Sequence, residues 1–400
     1  MPTFVIAGAS LAGAKAAETL RAEGFDGQIV LLGAEPERPY ERPPLSKGYL
    51  LGNDERDSVF VHPADWYAEH GVDLRLGVTV TGLDRAASAV ITSDDSIVPY
   101  DKLLLTTGAS PRRLNFPGSD RDEVLYLRTT ADSDRLRAAF QAGPRVVVAG
   151  AGWIGLETTA AARSYGCPVT VLEPQPGPLQ DQLGPELGAT FADLHRSHDV
   201  EFRFGERAAE FRPGMVITSA GAEVPADLLV VGIGAAPNDQ LAAAAGLEVE
   251  NGVLTDEALR TTDPSIFAAG DVANSFHPLL GRRVRVEHWA NALNGGPAAA
   301  RSMLGQPVVY DPVPYFYSDQ YDLGMECAGL PSPGSYQEVA YRGDRAAGEF
   351  IAFWLARGTV VAGMNVNVWD VNDDIQALIR SARQVDLSRL TNPEVPLPEV

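Results

Sequence analysis

The sequence predicts an α/β protein with two parallel βαβ units, followed by a separate α+β domain. The stretch TFVIAGASLAGAKAAETLRAEG predicts an apolar strand, a glycine turn and an alanine-rich helix, and QIVLLGAE predicts the next strand. The same pattern returns in RVVVAGAGWIGLETTAAARSYG, which leads into PVTVLEP. Short apolar runs that alternate with helical segments are typical of parallel sheets. From about Tyr310 aromatic residues increase and alternating strands replace this pattern.

One helix is clear in this C-terminal region, in the stretch DVNDDIQALIRSAR. We expect Asn372 or Asp373 to cap its N-terminus, because short polar side chains accept hydrogen bonds from the first free backbone N–H groups. Arginines in its last turn suit the negative end of the helix dipole. The region therefore predicts a sheet with a helix packed on it.

Length and composition exclude several classes of protein. Four hundred residues with 45% hydrophobic content are enough for two or three domains. A formal net charge of −21 argues against nucleic-acid binding, because phosphate contacts need clustered lysines and arginines. No apolar run reaches the roughly 18 residues of a membrane span, and no signal-peptide pattern precedes the first strand. We therefore expect a cytoplasmic protein that binds neither nucleic acid nor a membrane.

The chain has only two cysteines, Cys167 and Cys327, far apart in the sequence. Two cysteines cannot form a disulfide framework, a four-cysteine zinc site or a four-cysteine iron–sulfur site. We expect no metal site. The stretch from Pro39 to Leu51, just after the first βαβ unit, contains no cysteine at all.

Each βαβ unit has a glycine turn between its first strand and its helix. Such a turn directs backbone N–H groups and the helix N-terminus at a pyrophosphate. The second unit has the complete pattern, with Gly150, Gly152 and Gly155. The first unit keeps Gly8 and Gly13 but has Ser10 at the middle position. Because serine adds only a small side chain, we expect the first turn also to bind a dinucleotide.

An acidic residue at the end of the second strand commonly binds the adenosine ribose of a dinucleotide. Glu173 has this place in the second unit, at about the usual spacing from the glycines. No lysine or arginine follows it in PQPGPLQDQ, so the sequence predicts NADH rather than NADPH. In the first unit Glu35 is the candidate, although Ala34 occupies the alternative position and the ribose contact stays open.

Nine stretches together resemble FAD-dependent pyridine-nucleotide reductases, specifically the ferredoxin reductases of oxygenase electron-transfer chains. In chain order they are GASLAG, RPYERPPLSKGYL, LLLTTGASPR, LYLRTTAD, GAGWIGLE, GIGAAPN, TTDPSIFAAGDVA, VEHWANAL and YFYSDQYD. The resemblance covers nearly the whole chain and implies two Rossmann-like dinucleotide-binding domains plus a C-terminal α+β domain. It implies a discontinuous FAD-binding domain at 1–110 and 237–309, an NAD-binding domain at 111–236 and the C-terminal domain at 310–400.

The resemblance also implies which residues bind the two cofactors. For FAD they are Gly8, Ser10, Ala12, Gly13, Glu35, Arg42, Lys47, Val80, Arg128, Asp271 and Trp289. For NADH they are Gly150, Gly152, Ile154, Gly155, Glu157, Glu173, Gly234 and Glu287. One position departs from the family pattern, because Tyr317 stands where the family has tryptophan in YFYSDQYD.

The residues themselves support several of these assignments. Lys47 and Glu157 are charged groups in apolar or glycine-rich segments, where an unpaired charge is costly. Pairing them across the flavin would satisfy both charges, and we expect them to be the catalytic pair. Asp271 follows AAG at the carboxyl end of a strand, where α/β sheets bind ligands. Trp289, judged from the residues alone, could equally be a core aromatic.

The absence of cysteine after the first βαβ unit excludes reduction through a thiol. The resemblance therefore implies transfer of hydride from NADH to FAD, and then of single electrons to a [2Fe–2S] ferredoxin that supplies an oxygenase. The alternatives are a rubredoxin reductase, an NADH oxidase and a low-turnover NADH-binding redox sensor. For ferredoxin docking, the densest basic cluster is Arg282, Arg283 and Arg285, which Arg301 could extend.

Overall fold

The computed structural model describes residues Met1–Val400, and the chain divides into two compact units. Unit 1 comprises Met1–Arg42, Arg56–Ser110 and Ala235–Pro314. Unit 2 comprises Pro43–Glu55, Pro111–Gly234 and Tyr315–Val400. None of the helices is long and apolar enough to cross a membrane.

The helices and strands follow one another in three stretches of chain. Up to Pro111 they are β1 (Thr3–Ala7), α1 (Leu11–Ala22), β2 (Gln28–Gly33), α2 (Gly48–Leu51), α3 (Trp66–Glu69), β3 (Val72–Leu76), β4 (Val80–Asp84), β5 (Ala89–Thr92), β6 (Ile97–Pro99), β7 (Lys102–Leu105) and β8 (Ala109–Pro111). Up to Gly234 they are β9 (Val124–Tyr126), α4 (Thr130–Gln141), β10 (Val146–Ala149), α5 (Trp153–Ser164), β11 (Val169–Glu173), α6 (Gln180–Leu183), α7 (Pro185–Ser197), β12 (Val200–Phe204), β13 (Ala208–Arg212), β14 (Met215–Thr218), β15 (Glu223–Pro225) and β16 (Leu228–Val231). The remainder contains β17 (Ala235–Pro237), α8 (Gln240–Ala244), β18 (Val253–Thr255), β19 (Ile266–Ala268), β20 (Ala273–His277), β21 (Arg282–Arg285), α9 (Trp289–Met303), β22 (Tyr315–Gln320), β23 (Leu323–Gly329), β24 (Glu338–Asp344), β25 (Glu349–Ala356), β26 (Thr359–Val366), α10 (Asn372–Ser381) and α11 (Leu387–Leu390).

Unit 1 is built on a five-stranded sheet in the order β19-β7-β1-β2-β3, and every pairing is parallel. Its strands are apolar and buried because hydrophobic clusters cover both faces. Helix α1 packs against α9, where a Cβ on Gly296 would lie only 2.2 Å from the carbonyl oxygen of Ala12. This close approach of two backbones fixes the N-terminus of α1 beside the carboxyl end of the sheet.

Unit 2 combines a parallel sheet with an antiparallel one. The parallel sheet has the order β12-β11-β10-β16-β9 and carries the second glycine turn after β10. The antiparallel sheet of the C-terminal region has the order β22-β23-β26-β25-β24, so β22 is an edge strand. The predicted fold class, with two parallel-sheet regions and a C-terminal α+β region, is confirmed.

The predicted cap of the C-terminal helix is wrong. Val371 precedes α10, and no side chain caps its N-terminus. Asn372 lies in the first turn, where its side-chain oxygen accepts a hydrogen bond from Gln376 Nε2 at 2.9 Å. Its amide nitrogen donates to Asn365 Oδ1 at 3.4 Å. The side chain therefore ties α10 to β26 instead of capping the helix.

Candidate active site

The two glycine turns have closely similar geometry. Gly8 and Gly150 both have positive φ angles, 131° and 101°, which other residues rarely adopt. A Cβ on Gly13 would lie 2.1 Å from the carbonyl oxygen of Gly8, and a Cβ on Gly155 would lie 2.1 Å from that of Gly150. Each third glycine is therefore required, since any side chain would collide with the turn.

The middle position of the turn has no such restriction. Ser10 has φ −123° and ψ −166°, and Gly152 has φ −78° and ψ −177°, both extended and immediately before the helix. A Cβ on Gly152 would meet nothing within 4 Å. The Ser10 side chain makes no capping hydrogen bond to α1. Serine is thus accommodated in the first turn without closing the helix N-terminus to an anion.

Two predicted FAD residues, Glu35 and Arg42, form an ion pair in unit 1, with 2.8 Å between Arg42 Nη2 and Glu35 Oε1. Tyr40 joins them, because its hydroxyl accepts from Arg42 Nη1 at 3.1 Å and donates to Glu35 Oε2. Burial lowers the pKa of Arg42, but Tyr40, Glu35 and, more weakly, Asp271 raise it, and the net shift is upward. Tyr40 was not predicted from the sequence.

Asp271 lies in a short 3₁₀ turn, Gly270–Val272, directly after β19. A Cβ on Gly270 would lie 3.3 Å from the Cβ of Ala12, so this turn lies against the start of α1. The backbone oxygen of Asp271 accepts a hydrogen bond from Arg285 Nη1 at 3.2 Å. The structure therefore brings Asp271 and the first glycine turn to the same end of the unit 1 sheet.

Trp289 is the first residue of α9 and is only partly buried, so it is not a core aromatic. Its indole Nε1 donates to Glu41 Oε2 at 3.0 Å. Val80, also in unit 1, begins β4 and pairs with Thr92. Arg128 belongs to unit 2, where its backbone N–H donates to the carboxylate of Asp132 at 3.1 Å.

Lys47 and Glu157 meet directly in unit 2. Lys47 Nζ lies 2.7 Å from Glu157 Oε1, with side-chain exposures of 14% and 3%. Glu157 is on α5, immediately after the second glycine turn, and Lys47 precedes the short helix α2. Because α2 belongs to the same compact unit as α5, the sequence separation between the two residues does not keep them apart. A buried ion pair thus stands at the start of the α5 helix.

Two serines complete the surroundings of Glu157. Ser318 Oγ donates to Glu157 Oε1 at 2.7 Å, and Ser46 Oγ donates to Glu157 Oε2. Both serines are buried, and neither was predicted as a site residue. Ser46 is adjacent to Lys47 in the sequence, and that proximity was the only signal for it. Nothing in the sequence pattern singles out Ser318.

The strand that carries Ser318 also brings Tyr317 and Asp319 towards Lys47. Lys47 Nζ lies 5.4 Å from the centre of the Tyr317 ring, within range of a cation–π contact. Burial raises the pKa of Asp319, Lys47 opposes this shift, and the net direction is upward. Tyr317, at the position where the family pattern has tryptophan, thus presents its aromatic ring to Lys47.

Glu173 ends β11 and faces the second glycine turn. Its Oε2 accepts a hydrogen bond from the backbone N–H of Ala151 at 2.7 Å, and its Oε1 accepts one from Gln175 at 2.9 Å. These bonds fix a carboxylate beside the turn while leaving it lone pairs for further donors. A fixed carboxylate there can accept hydrogen bonds from ribose hydroxyls and repels a phosphate.

The remaining predicted NADH residues divide between the units. Ile154 is 43% exposed on the first turn of α5. Gly234 follows β16 with φ 92°, and its carbonyl oxygen accepts from the backbone N–H of Arg112 at 2.9 Å. Both residues lie in unit 2, whereas Glu287 belongs to unit 1 and pairs with Arg285. Glu287 is thus already bound to a cation.

The predicted docking arginines differ in how their charges are used. Arg301 Nε lies 2.8 Å from Glu23 Oε1, and Arg285 pairs with Glu287. Arg283 donates to the backbone oxygen of Thr255. Arg282 is exposed, and its side chain makes no ion pair or hydrogen bond. Carboxylates therefore neutralise Arg285 and Arg301, whereas Arg282 and Arg283 have no carboxylate partner.

The two cysteines lie in the interior, and their thiols have low reactivity. Cys167 and Cys327 are both free and buried, and burial raises the pKa of each thiol. A buried thiol with a raised pKa is a poor nucleophile. The described residues include no group of three or more histidine, cysteine, aspartate or glutamate side chains suited to a metal ion.

The residues present fit two dinucleotides. Each turn combines an open middle position with free N–H groups at a helix N-terminus, the donor set that pyrophosphate requires. The first turn has Asp271, Glu35 and Arg42 nearby in unit 1, and the second has Glu173 and Glu157 in unit 2. The structure therefore provides two candidate dinucleotide-binding sites, each with its own polar side chains.

Comparison with known proteins agrees with this geometry. Residues 2–296 match the family described as pyridine nucleotide-disulphide oxidoreductase, and residues 315–400 match the one described as reductase C-terminal. The chain is 42% identical over 399 residues to the ferredoxin–NAD(+) reductase component of the anthranilate 1,2-dioxygenase system of Burkholderia cepacia, covering 98% of each chain. It is 35% identical over 406 residues to putidaredoxin reductase of Pseudomonas putida, covering 99% of this chain and 96% of that protein.

The solved structures give the same answer. The covalent complex of putidaredoxin reductase with putidaredoxin matches with a TM-score of 0.96 and 35% identity, covering 100% of this chain and 97% of that one. A ferredoxin reductase from Rhodopseudomonas palustris matches with a TM-score of 0.96 and 33% identity, covering 100% and 99%. The resemblance inferred from the motifs is confirmed: the chain belongs to the pyridine nucleotide-disulphide oxidoreductase family, whose members use FAD and NAD(P)H.

Proposed function

We propose that this chain is an NADH-dependent ferredoxin reductase of an oxygenase system. The observation that carries the proposal is the buried ion pair of Lys47 with Glu157 at the start of α5, in a chain whose only two cysteines are both buried. Relatives 35–42% identical over nearly their whole length are named as ferredoxin–NAD(+) reductase components. In this function residues 1–110 and 237–309 form the FAD domain, 111–236 the NAD domain and 310–400 the C-terminal domain.

FAD, when bound, accepts hydride from the nicotinamide and releases electrons one at a time to a [2Fe–2S] ferredoxin. The chain contributes binding and electrostatics. Gly8, Ser10, Ala12 and Gly13 hold the FAD pyrophosphate, with Glu35, Arg42, Val80, Arg128, Asp271 and Trp289 as further contacts. Lys47 supplies a fixed cation, and Glu157 holds that cation in place. A cation fixed before the reaction stabilises developing negative charge without reorganisation.

NADH binds at the second turn through Gly150, Gly152, Ile154 and Gly155, with Gly234 and Glu287 as further contacts. Glu173 selects NADH over NADPH, because its carboxylate is fixed by two backbone N–H groups and would repel a 2′-phosphate. The ferredoxin docks through the basic cluster of Arg282, Arg283, Arg285 and Arg301. Cytoplasmic location remains our expectation from the sequence.

Purified protein tests the proposal directly. We expect it to be yellow and to reduce cytochrome c with NADH only when a [2Fe–2S] ferredoxin, such as putidaredoxin, is added. Equal activity without ferredoxin would support the NADH oxidase alternative. Coupling to a rubredoxin but to no [2Fe–2S] ferredoxin would support a rubredoxin reductase. Bleaching of the flavin by NADH without turnover would support a redox sensor.

A further inference from the structure

Glu157 is the end of a chain of buried hydrogen bonds that runs into the C-terminal sheet. Ser318 Oγ donates to Glu157 Oε1 at 2.7 Å, and Gln320 Nε2 donates to Ser318 Oγ at 3.1 Å. Gln320 Oε1 lies 2.8 Å from His195 Nε2, and the Tyr321 hydroxyl lies 3.2 Å from His195 Nδ1. Every one of these residues belongs to unit 2.

The proton positions along this chain follow from its acceptor end. A carboxylate has no proton, so the single Ser318 hydroxyl proton goes to Glu157. Ser318 Oγ must then accept from the amide nitrogen of Gln320, which turns the amide oxygen towards His195. An oxygen accepts only, so His195 Nε2 must carry a proton. One orientation of every group therefore satisfies the whole chain.

His195 is held in a single state by its surroundings. The groups around it are His198 of its own helix region, Phe202 of β12, Gln320 of β22 and Tyr321. Burial lowers the pKa of His195 to about 4, the bond to Gln320 opposes this, and His198 adds to it. The imidazole is therefore neutral near pH 7, with its proton on Nε2 and Nδ1 free to accept from Tyr321.

This chain of hydrogen bonds fixes the orientation of its side chains and does not conduct protons. A proton wire needs each member to accept a proton on one side and release one on the other. The amide nitrogen of Gln320 does not exchange protons in this way on the time scale of catalysis. What the chain can transmit is position, because the buried Ser318, Gln320 and His195 each have only one satisfied arrangement.

We propose that Ser318, Gln320 and His195 are positioning residues that hold the Glu157 carboxylate, and through it Lys47, in the geometry that hydride transfer requires. The proposal rests on the proposed function, since it assigns work to the Lys47–Glu157 pair. It gives the C-terminal sheet a part in the step between nicotinamide and flavin. Their effect is indirect, because none of the three residues contacts Lys47 itself in the hydrogen-bond chain.

The main test is Gln320→Leu in the FAD-loaded enzyme, followed by stopped-flow reduction with NADH. We expect the limiting rate of flavin reduction to fall roughly 10- to 100-fold, the cost of displacing a reacting group by about an ångström. The dissociation constant of NADH should stay as in the unchanged protein. Gln376→Leu is the matched control, because it makes the same substitution in α10 and removes only a bond to Asn372.

A second measurement does not depend on turnover. In protein labelled with ¹⁵N-histidine, the His195 ring should show a proton on Nε2 and no titration between pH 5 and pH 8. In Gln320→Leu the His195 ring loses the oxygen that accepts from its Nε2 proton, so the ¹⁵N spectrum should no longer show the proton fixed on Nε2. His195→Gln keeps a donor for Gln320 and should retain most of the reduction rate, whereas His195→Leu should not.

Three results would overturn the inference. They are a Gln320→Leu enzyme that is reduced at the original rate, a His195 proton found on Nδ1, and equal rates for His195→Gln and His195→Leu. If Gln320→Leu does not fold, Ser318→Ala removes the same connection with a smaller change in volume and is judged by the same rate. Failure of NADH to reduce the unchanged protein would instead contradict the proposed function.

Discussion

Lys47 and Glu157 belong to different segments of unit 2, yet they form a buried ion pair with 2.7 Å between Lys47 Nζ and Glu157 Oε1. Two serine hydroxyls also donate to the same carboxylate. A buried carboxylate with three donors has little freedom to move, and its partner cation is fixed with it. This pair is therefore built to keep a positive charge in one place.

Replacing Lys47 by methionine should remove that charge while nearly preserving the shape of the side chain. We expect NADH reduction of the flavin to slow by roughly 100-fold, similar to the effect of removing one preorganised hydrogen-bond donor from the active site of an enzyme. Stability should also fall by about 3 kcal/mol, because Glu157 is left buried without its cation. Stopped-flow absorbance and thermal unfolding measure the two effects. Lys15→Met, which affects a partly exposed pair with Glu18, is the control.

An unchanged reduction rate in Lys47→Met would contradict the assignment of the pair to catalysis. A fall in stability without a change in rate would make the pair structural. The Lys15→Met control should show neither effect, since surface ion pairs contribute little.

Asp271→Ala should give protein that is largely colourless after purification. Asp271 lies on the 3₁₀ turn that contacts the start of α1, where it can bind the polar part of FAD. The measurement is the ratio of flavin absorbance to protein absorbance, with Asp256→Ala as a control on the same unit. Full flavin occupancy in Asp271→Ala would remove this residue from the site.

The sequence was sufficient to predict the two glycine turns and the parallel sheets, because these depend on local spacing and on short apolar runs. It also suggested Lys47 and Glu157, because charged residues in apolar segments need a partner. Ser318 could not be found in this way. It contacts a residue 161 positions away, and an alternating edge strand gives no sign of which neighbour each face will meet.

The density of basic residues in the sequence was also a poor guide to which arginines lack a carboxylate partner, because those partners lie far away in the sequence. Arg301 stands out in the sequence, but Glu23, 278 positions away, neutralises it. The helix cap predicted at Asn372 also failed because the side chain bonds to Asn365 on another element. Contacts between distant parts of the chain decide these cases, and single-sequence patterns do not contain them.

We expect kcat/KM to be higher for NADH than for NADPH. The fixed carboxylate of Glu173 would lie against a 2′-phosphate, and no lysine or arginine follows it up to Gln182 to bind that phosphate. Glu173→Ala should narrow the difference by lowering kcat/KM for NADH roughly 10-fold, the loss of about 1.4 kcal/mol. Steady-state rates with both nucleotides are the measurement. Equal values in the unchanged protein would refute the assignment.

Arg282→Glu should raise KM for the ferredoxin while leaving NADH reduction of the flavin intact. An acidic chain of net charge −21 needs a local positive surface to meet an acidic partner, and charges act over about 8 Å at physiological salt. Arg282 is exposed and has no carboxylate partner, whereas Arg301 pairs with Glu23, so the reversal of Arg282 should have a larger effect than Arg301→Glu. Added salt should weaken electron transfer to the ferredoxin more in the unchanged protein than in Arg282→Glu. If both variants had the same KM for the ferredoxin as the unchanged protein, the ferredoxin would dock elsewhere, for example around Tyr317.

His195 should make the stability of the protein depend on pH below neutrality. The folded state keeps the imidazole neutral down to a pKa of about 4, whereas the unfolded chain takes up a proton near its ordinary value of 6.5. Stability is therefore complete above about pH 6.5 and falls as the pH is lowered towards 4, by about 2 kcal/mol between pH 7 and pH 5. Thermal unfolding at the two pH values should show a smaller decrease in His195→Gln, which has no proton to take up. His198→Gln, which changes the partly exposed neighbouring ring, should keep most of the original decrease, because His198 is the smallest of the causes that shift the pKa of His195. The same decrease in His195→Gln as in the unchanged protein would show that other groups cause it.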